Sequence, residues 1–196
     1  KTASAGGAAV GALPAGAVAP NEETIKTGQY KPLSRPLFIY VNKASLKKPA
    51  VVEYVKYYLS DEGQALVPEV GYVSLSPEQI ADTRQRFDQA LQSAGVSAAA
   101  GEVDGEVRIN GSSTVAPISS AVSEEFRNVQ PKVRAAVGTA GTSGGFKDFV
   151  RGDADICDAS RPIKSSEIEA CTAAKIEYLE LPIAIEPNAR PLAPLP

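Results

Sequence analysis

The sequence predicts an α/β fold in which helices cover both faces of a largely parallel sheet. Short β-branched runs alternate with helical apolar patterns through residues 107–184. Loops rich in Gly, Ser and Thr mark the changeovers from strand to helix. The composition, 43% hydrophobic and 22% charged over 196 residues, is that of an ordinary globular chain with room for one substantial core.

Each element has its own local reason. Residues 1–20 are Ala, Gly, Val and Pro material and read as an extended tail. Residues 36–41 carry LFIYV, a buried strand. Val51, Val52, Tyr54, Val55, Tyr58 and Leu59 then repeat at helical spacing and predict a helix over 49–59. Ser76, Pro77, Glu78 and Gln79 combine an N-cap, a proline at the first helical position and a glutamine three residues after the cap. They open a helix that runs to about Gln92. Residues 92–105 form a soft stretch that divides the chain.

Beyond it the alternation is regular: strand 107–110, helix 115–129, strand 132–138, helix 144–151, strand 154–157, helix 166–174 and strand 177–184. Such a series gathers the loops at the strand C-termini into one rim. Residues 186–196 are Pro-rich and read as a second tail, whose RPLAPLP end has the look of a polyproline ligand.

Three loops fall on the predicted rim. They are Gly111-Ser112-Ser113-Thr114-Val115, Gly138 to Phe146 (GTAGTSGGF), and Asp158-Ala159-Ser160-Arg161-Pro162. Small hydroxyl residues and backbone N–H groups at helix starts attract anions without a positive side chain. Arg161 adds a planar cationic fork suited to an oxyanion. One such loop is ordinary turn chemistry; three on one rim point to an anion cradle.

Other functions are disfavoured. Gly141-Thr142-Ser143-Gly144-Gly145 matches the form of a nucleophile elbow, but the chain contains no histidine to act as general base, so no enzyme is predicted. No Walker-type phosphate loop occurs. The net charge of −3 and the absence of a basic run argue against nucleic acid. Asp153, Asp155 and Asp158 read as turn and solvent-face acids, because alternation divides them between two faces. No metal or cofactor is predicted. Cys157 and Cys171 form either a disulfide or a pair of buried thiols.

The rim motifs carry a resemblance. GEVRINGSSTVAPISSAVSEEF, GTSGGFKDFVRGDADICDASRPIKSSEIEAC and IEYLELPIA resemble the amino-terminal part of the PstS family, the phosphate-binding proteins of ABC uptake systems. ETIKTGQYKPLSRPLFIYVNKASLKKPAVVEYVKYYLSDEGQALVPEVGYVSL resembles the carboxyl-terminal part of the same proteins. The order of the two blocks is reversed and the middle is absent. The resemblance therefore implies one circularly permuted lobe of a two-lobed periplasmic binding protein, either engineered or cut from a tandem repeat. In it residues 21–91 supply the family's C-terminal part, 92–105 the joining linker and 106–185 the N-terminal part.

For that lobe the resemblance implies a three-layer αβα domain with a mixed sheet of about five strands. Four are parallel and the strand of residues 37–41 is antiparallel. Carried over residue by residue, Thr114 gives a hydroxyl and Val115 a backbone N–H to phosphate, beside Ser113. Thr142 and Ser143 give hydroxyl and amide donors, and Ser160 the contact of the third loop, followed by Arg161. Some family members have an aspartate at the Ser160 position that helps reject sulfate, so selectivity is in question here. The parent family is periplasmic or extracellular and docks on an ABC permease; no signal peptide is recognisable in this sequence.

The donors of the second lobe have no counterpart. Charge-assisted bonds contribute ~1.5–3 kcal/mol each, so losing two or three weakens binding by ~10³-fold or more. Phosphate affinity is expected in the sub-millimolar to millimolar range. The open hinge face is a candidate surface for a homodimer. The alternative is a permuted scaffold that keeps the fold and lacks useful binding.

Overall fold

The computed structural model describes residues 34–96 and 101–187. The proposed tail of residues 1–20, the proline-rich end beyond 187 and the centre of the joining linker lie outside the described residues. Among the described residues five strands form one sheet: β1 (Ser34–Asn42), β2 (Gly105–Gly111), β3 (Val133–Gly138), β4 (Ile156–Ala159) and β5 (Tyr178–Pro187), in the order β3-β2-β4-β1-β5. β2 is parallel to β3 and to β4, whereas β1 is antiparallel to both β4 and β5. The expected pattern of four parallel strands and one reversed strand is thus present.

Among the described residues six helices cover the sheet: α1 (Pro49–Tyr58), α2 (Asp61–Glu69), α3 (Pro77–Ser93), α4 (Ala116–Val129), α5 (Thr142–Arg151) and α6 (Ser165–Ala173). Strand alternation divides the core in two. Leu37, Ile39, Val41, Val107, Ile109 and Ile156 point to the side of α1 to α4, where Tyr54, Tyr58, Ile118, Val122 and Phe126 fill the larger cluster. Phe38, Tyr40, Cys157 and Ala159 point to the other side and pack with Phe146, Phe149 and Cys171. The result is a three-layer arrangement.

Most sequence expectations hold within two residues. At the start of α3 the Ser76 hydroxyl accepts from Gln79 N–H at 3.3 Å and the Gln79 side chain accepts from Ser76 N–H at 2.9 Å, so the predicted capping box is formed. Helix α2 was not expected. Its sequence, DEGQALVPE, has few apolar positions and a proline near its end, but Ser60 caps it by accepting from Gly63 N–H at 3.1 Å. A short 3-10 turn over Lys43–Lys47 was also not expected.

Two acids correct the sequence reading. Strand β4 starts at Ile156 rather than 154, and neither Asp155 nor Asp158 is a solvent-face acid: both are buried. Asp155 accepts from Ser45 Oγ at 2.7 Å, Lys48 Nζ at 2.8 Å and Arg108 N at 3.0 Å. Burial acts to raise its pKa, but these bonds outweigh it and hold the carboxyl at about 2. Because the folded value lies below the unfolded one, the stabilisation is fully present above about pH 4 and is lost as pH falls through about 2. Asp155→Asn is expected to cost about 2 kcal/mol at pH 7 and to match the parent chain near pH 2, as urea titrations at the two pH values will show.

The cysteines are also decided. Cys157 and Cys171 are free, buried thiols, not a disulfide. Both lie in the smaller apolar cluster, where burial pushes each thiol up in pKa and makes it unreactive. Among the described residues the large exposed apolar side chains are Val129 and Ile168, neither of them on β1 or β5.

Candidate functional site

The loops after β2, β3 and β4 meet at one end of the sheet, and backbone hydrogen bonds stitch them together. Gly141 N–H donates to Gly111 O at 2.8 Å, joining the first loop to the second. Ser112 N–H donates to Asp158 O at 2.9 Å, joining the first to the third. Thr142 Oγ1 accepts from Ser160 N–H at 3.3 Å and lies 3.4 Å from Ser160 Oγ, joining the second to the third.

Two glycines make this closeness physically available. A Cβ on Gly111, whose φ is +149°, would lie 2.1 Å from Asp158 O. A Cβ on Gly145 would lie 2.6 Å from Gly111 Cα and 2.7 Å from Asn110 O. The first lets β2 turn sharply against β4; the second lets α5 rest directly on the β2 backbone, which brings its first turn to the rim.

That first turn is the clearest donor set. The N-cap of α5 is Gly141, which supplies no side-chain cap. The N–H groups of Thr142, Ser143 and Gly144 have no partner among the described residues, as expected for helical positions whose carbonyl partners lie before the helix. They carry the positive end of the helix dipole to the rim. In the first loop the Ser113 N–H and the hydroxyls of Ser113 and Thr114 are similarly unpartnered among the described residues, and Ser113 is exposed.

Two predicted donors are otherwise engaged. Val115 N–H donates to Ser112 O at 3.1 Å within the turn that opens α4. Arg161 does not offer a free charge: its guanidinium donates to Glu167 at 2.7 and 2.8 Å, to Ser143 Oγ at 2.9 Å and to Pro162 O at 3.1 Å. Burial is the largest single influence on Glu167 and acts to raise its pKa, but the bonds from Arg161 and the Lys164 N–H together outweigh it and hold the carboxyl below its ordinary value. Arg161 also lies 5.9 Å over the Phe146 ring. Its part in the geometry is to tie the second loop to α6 as a neutral pair.

Glu167 was missed in the sequence. The available signal was its place three residues after Lys164, whose N–H donates to it at 2.9 Å in the manner of a capping box. Lys147 and Lys164 flank a groove of about 480 Å³ that shares Ser143 with the rim. A larger groove, about 560 Å³, lies at the opposite end of the sheet around Asn42, Ala90 and Lys175 and shares no residue with these loops. Among the described residues no cluster of His, Cys, Asp and Glu is arranged to hold a metal ion.

Known proteins share this architecture. A model described as a PBP superfamily domain matches residues 96–189. Protein SphX of Synechococcus elongatus is 52% identical over 80 residues, covering 41% of this chain and 24% of that protein. The phosphate-binding protein PstS 2 of Streptococcus agalactiae is 33% identical over 143 residues, covering 73% of this chain and 42% of that protein. The crystal structure of a phosphate ABC transporter's phosphate-binding protein from Streptococcus pneumoniae superposes with a TM-score of 0.66 at 19% identity, over 87% of this chain and 56% of that one. At that identity the superposition speaks to the fold.

The chain thus spans between 24% and 42% of the length of these two curated relatives. PstS 2 is named as a binding protein, in keeping with a chain that has no histidine for acyl-transfer chemistry. The chain is thus an α/β lobe whose residues 96–189 match the PBP superfamily model and which is similar to part of the length of the PstS phosphate-binding proteins and of SphX.

Proposed function

We propose that the rim binds an inorganic oxyanion, with phosphate the preferred one. The observation that carries this reading is the uncapped first turn of α5. Its three N–H groups, unpartnered among the described residues, stand beside Thr142 Oγ1 and Ser160 on the same rim as the first-loop hydroxyls of Ser113 and Thr114. Phosphate makes good use of such a set, because its oxygens accept several bonds at once and the helix end favours negative charge. The PstS likeness supports phosphate over other oxyanions.

Binding by this lobe alone is weak. The rim is open to water on one side, so each hydrogen bond contributes less than in an enclosed cleft. Val115 N–H and Arg161, counted as donors in the sequence, are engaged elsewhere in this state, which lowers the expected affinity further. The same two engagements favour the second reading, a scaffold of the family fold with no useful ligand.

The permuted order belongs to this proposal too. β1 comes from the block that resembles the family's C-terminal part, yet it lies between β4 and β5 of the other block. Such interleaving supports a single lobe assembled from two ends of the family sequence. The parent receptors work in the periplasm or outside the cell and deliver phosphate to an ABC permease, the role we assign to this lobe's ancestry.

Thr142→Val separates the two readings. It removes the hydroxyl with almost no change of shape. Phosphate affinity is expected to fall about 10-fold or more while the melting temperature stays within a few degrees. Unchanged phosphate heat in an isothermal titration of the variant would support the scaffold.

A further inference from the structure

Tyr72 lies outside the regular α/β series, in the segment between α2 and α3. Its hydroxyl donates to the carbonyl of Thr114 at 2.6 Å, across 42 residues of chain. A peptide unit is planar, so a bond that fixes the Thr114 carbonyl also fixes the plane that carries Val115 N–H. The orientation of the first loop is therefore set by a side chain from another part of the fold.

The next residue reaches in a different direction. Val73 N–H donates to Ile185 O at 3.0 Å and Ile185 N–H to Val73 O at 2.8 Å, which adds a bridge to the end of β5. Glu186 beside it pairs with Arg35 at the start of β1. Residues 72 and 73 thus hold the first loop with one side chain and the paired ends of β1 and β5 with one stretch of backbone. The hydroxyl keeps its proton: burial raises the Tyr72 pKa, the charge of Glu186 raises it further and Arg35 opposes.

We infer that Tyr72 is a positioning residue for the first anion loop and that it couples occupancy of that loop to the paired ends of β1 and β5. This rests on the reading of the rim as an anion site. Movement of the Thr114 carbonyl when a ligand engages the loop is transmitted through a 2.6 Å bond to a residue whose neighbour is hydrogen-bonded to β5. The loop and the strand ends become one mechanical unit, although they are not adjacent in sequence.

The test is an NMR titration of the full chain and of Tyr72→Phe with inorganic phosphate, following the amides of Thr114, Val73 and Ile185, with thermal melts of both. In the parent chain phosphate is expected to shift all three amides. In Tyr72→Phe the melting point stays within a few degrees, phosphate binds about 5- to 10-fold more weakly, and the shifts at Val73 and Ile185 disappear while that at Thr114 remains. Shifts at Val73 and Ile185 that persist in the variant, or an unchanged affinity, overturn the coupling alone. Parent-chain shifts confined to Thr114 overturn it without any variant. No phosphate-dependent shift anywhere in the parent chain overturns the anion reading and this inference together.

Discussion

Asp158→Asn is expected to flatten the pH dependence of stability between pH 4 and 8 and to make the chain more stable than its parent at pH 8. Asp158 is fully buried on β4, and neither carboxyl oxygen has a hydrogen-bond partner among the described residues. Its carboxyl faces the larger apolar cluster, where the groups around it are Tyr54 and Tyr58 of α1 and Ser119 of α4. No cation faces it. Burial pushes its pKa up to about 7, and Ser119 lies near enough to moderate the shift without forming a hydrogen bond.

The folded value lies above the unfolded one of about 3.9, so between the two the folded state holds one more proton. Stability is therefore greatest near pH 4 and falls as pH rises to about 7, where it levels off. At about 1.4 kcal/mol per unit the full loss is roughly 4 kcal/mol. With no histidine in the chain, no side chain of ordinary pKa competes in the window from pH 5 to 8. Asparagine is neutral throughout and nearly the same shape, though its buried amide costs about 1–3 kcal/mol if it too finds no partner. Urea denaturation across this range should show a sloping parent curve and a level variant curve; two parallel curves would mean that Asp158 is ionised in the fold or does not titrate there.

Gly145→Ala is expected to destabilise the fold by about 4 kcal/mol or more and to remove phosphate binding with it. The added methyl group would meet Gly111 Cα at 2.6 Å, Asn110 O at 2.7 Å and Cys157 Sγ at 3.0 Å. Two of these atoms are backbone of β2, which is held between β3 and β4 and cannot withdraw. Helix α5 must move instead. Its first turn carries Thr142 and Ser143, so the displacement opens the contacts to Ser160 and Arg161 at the same time. Lys147→Ala, on the exposed side of the same helix, should change stability by less than about 0.5 kcal/mol. Chemical denaturation of both variants checks the contrast.

Much of this fold was legible because its signals are local. The alternation of β-branched runs and helical stripes, the capping box at Ser76 and the Gly/Ser/Thr loops each depend on residues within one turn of one another. Helix α2 escaped because Gly63 and Pro68 hide its period, although Ser60 followed by Asp61 and Glu62 was a usable start signal.

The burial of Asp155 and Asp158 escaped for a different reason. An acid's environment is set by whatever packs over it, and Lys48, Arg108, Tyr54 and Tyr58 come from distant parts of the chain. The rim shows the same division. Its donor loops could be read from composition, whereas the capture of Arg161 by Glu167, the inward turn of Val115 N–H and the grip of Tyr72 on Thr114 are tertiary facts.

The central claim is that a single lobe retains a working but weak oxyanion site. Isothermal titration of the purified chain with phosphate, with sulfate as the matched control, tests it most directly. Saturable phosphate heat with a Kd of roughly 0.1–10 mM, which corresponds to about 3–5 kcal/mol, is the predicted result. No heat above the sulfate control at phosphate concentrations well beyond that range would contradict it.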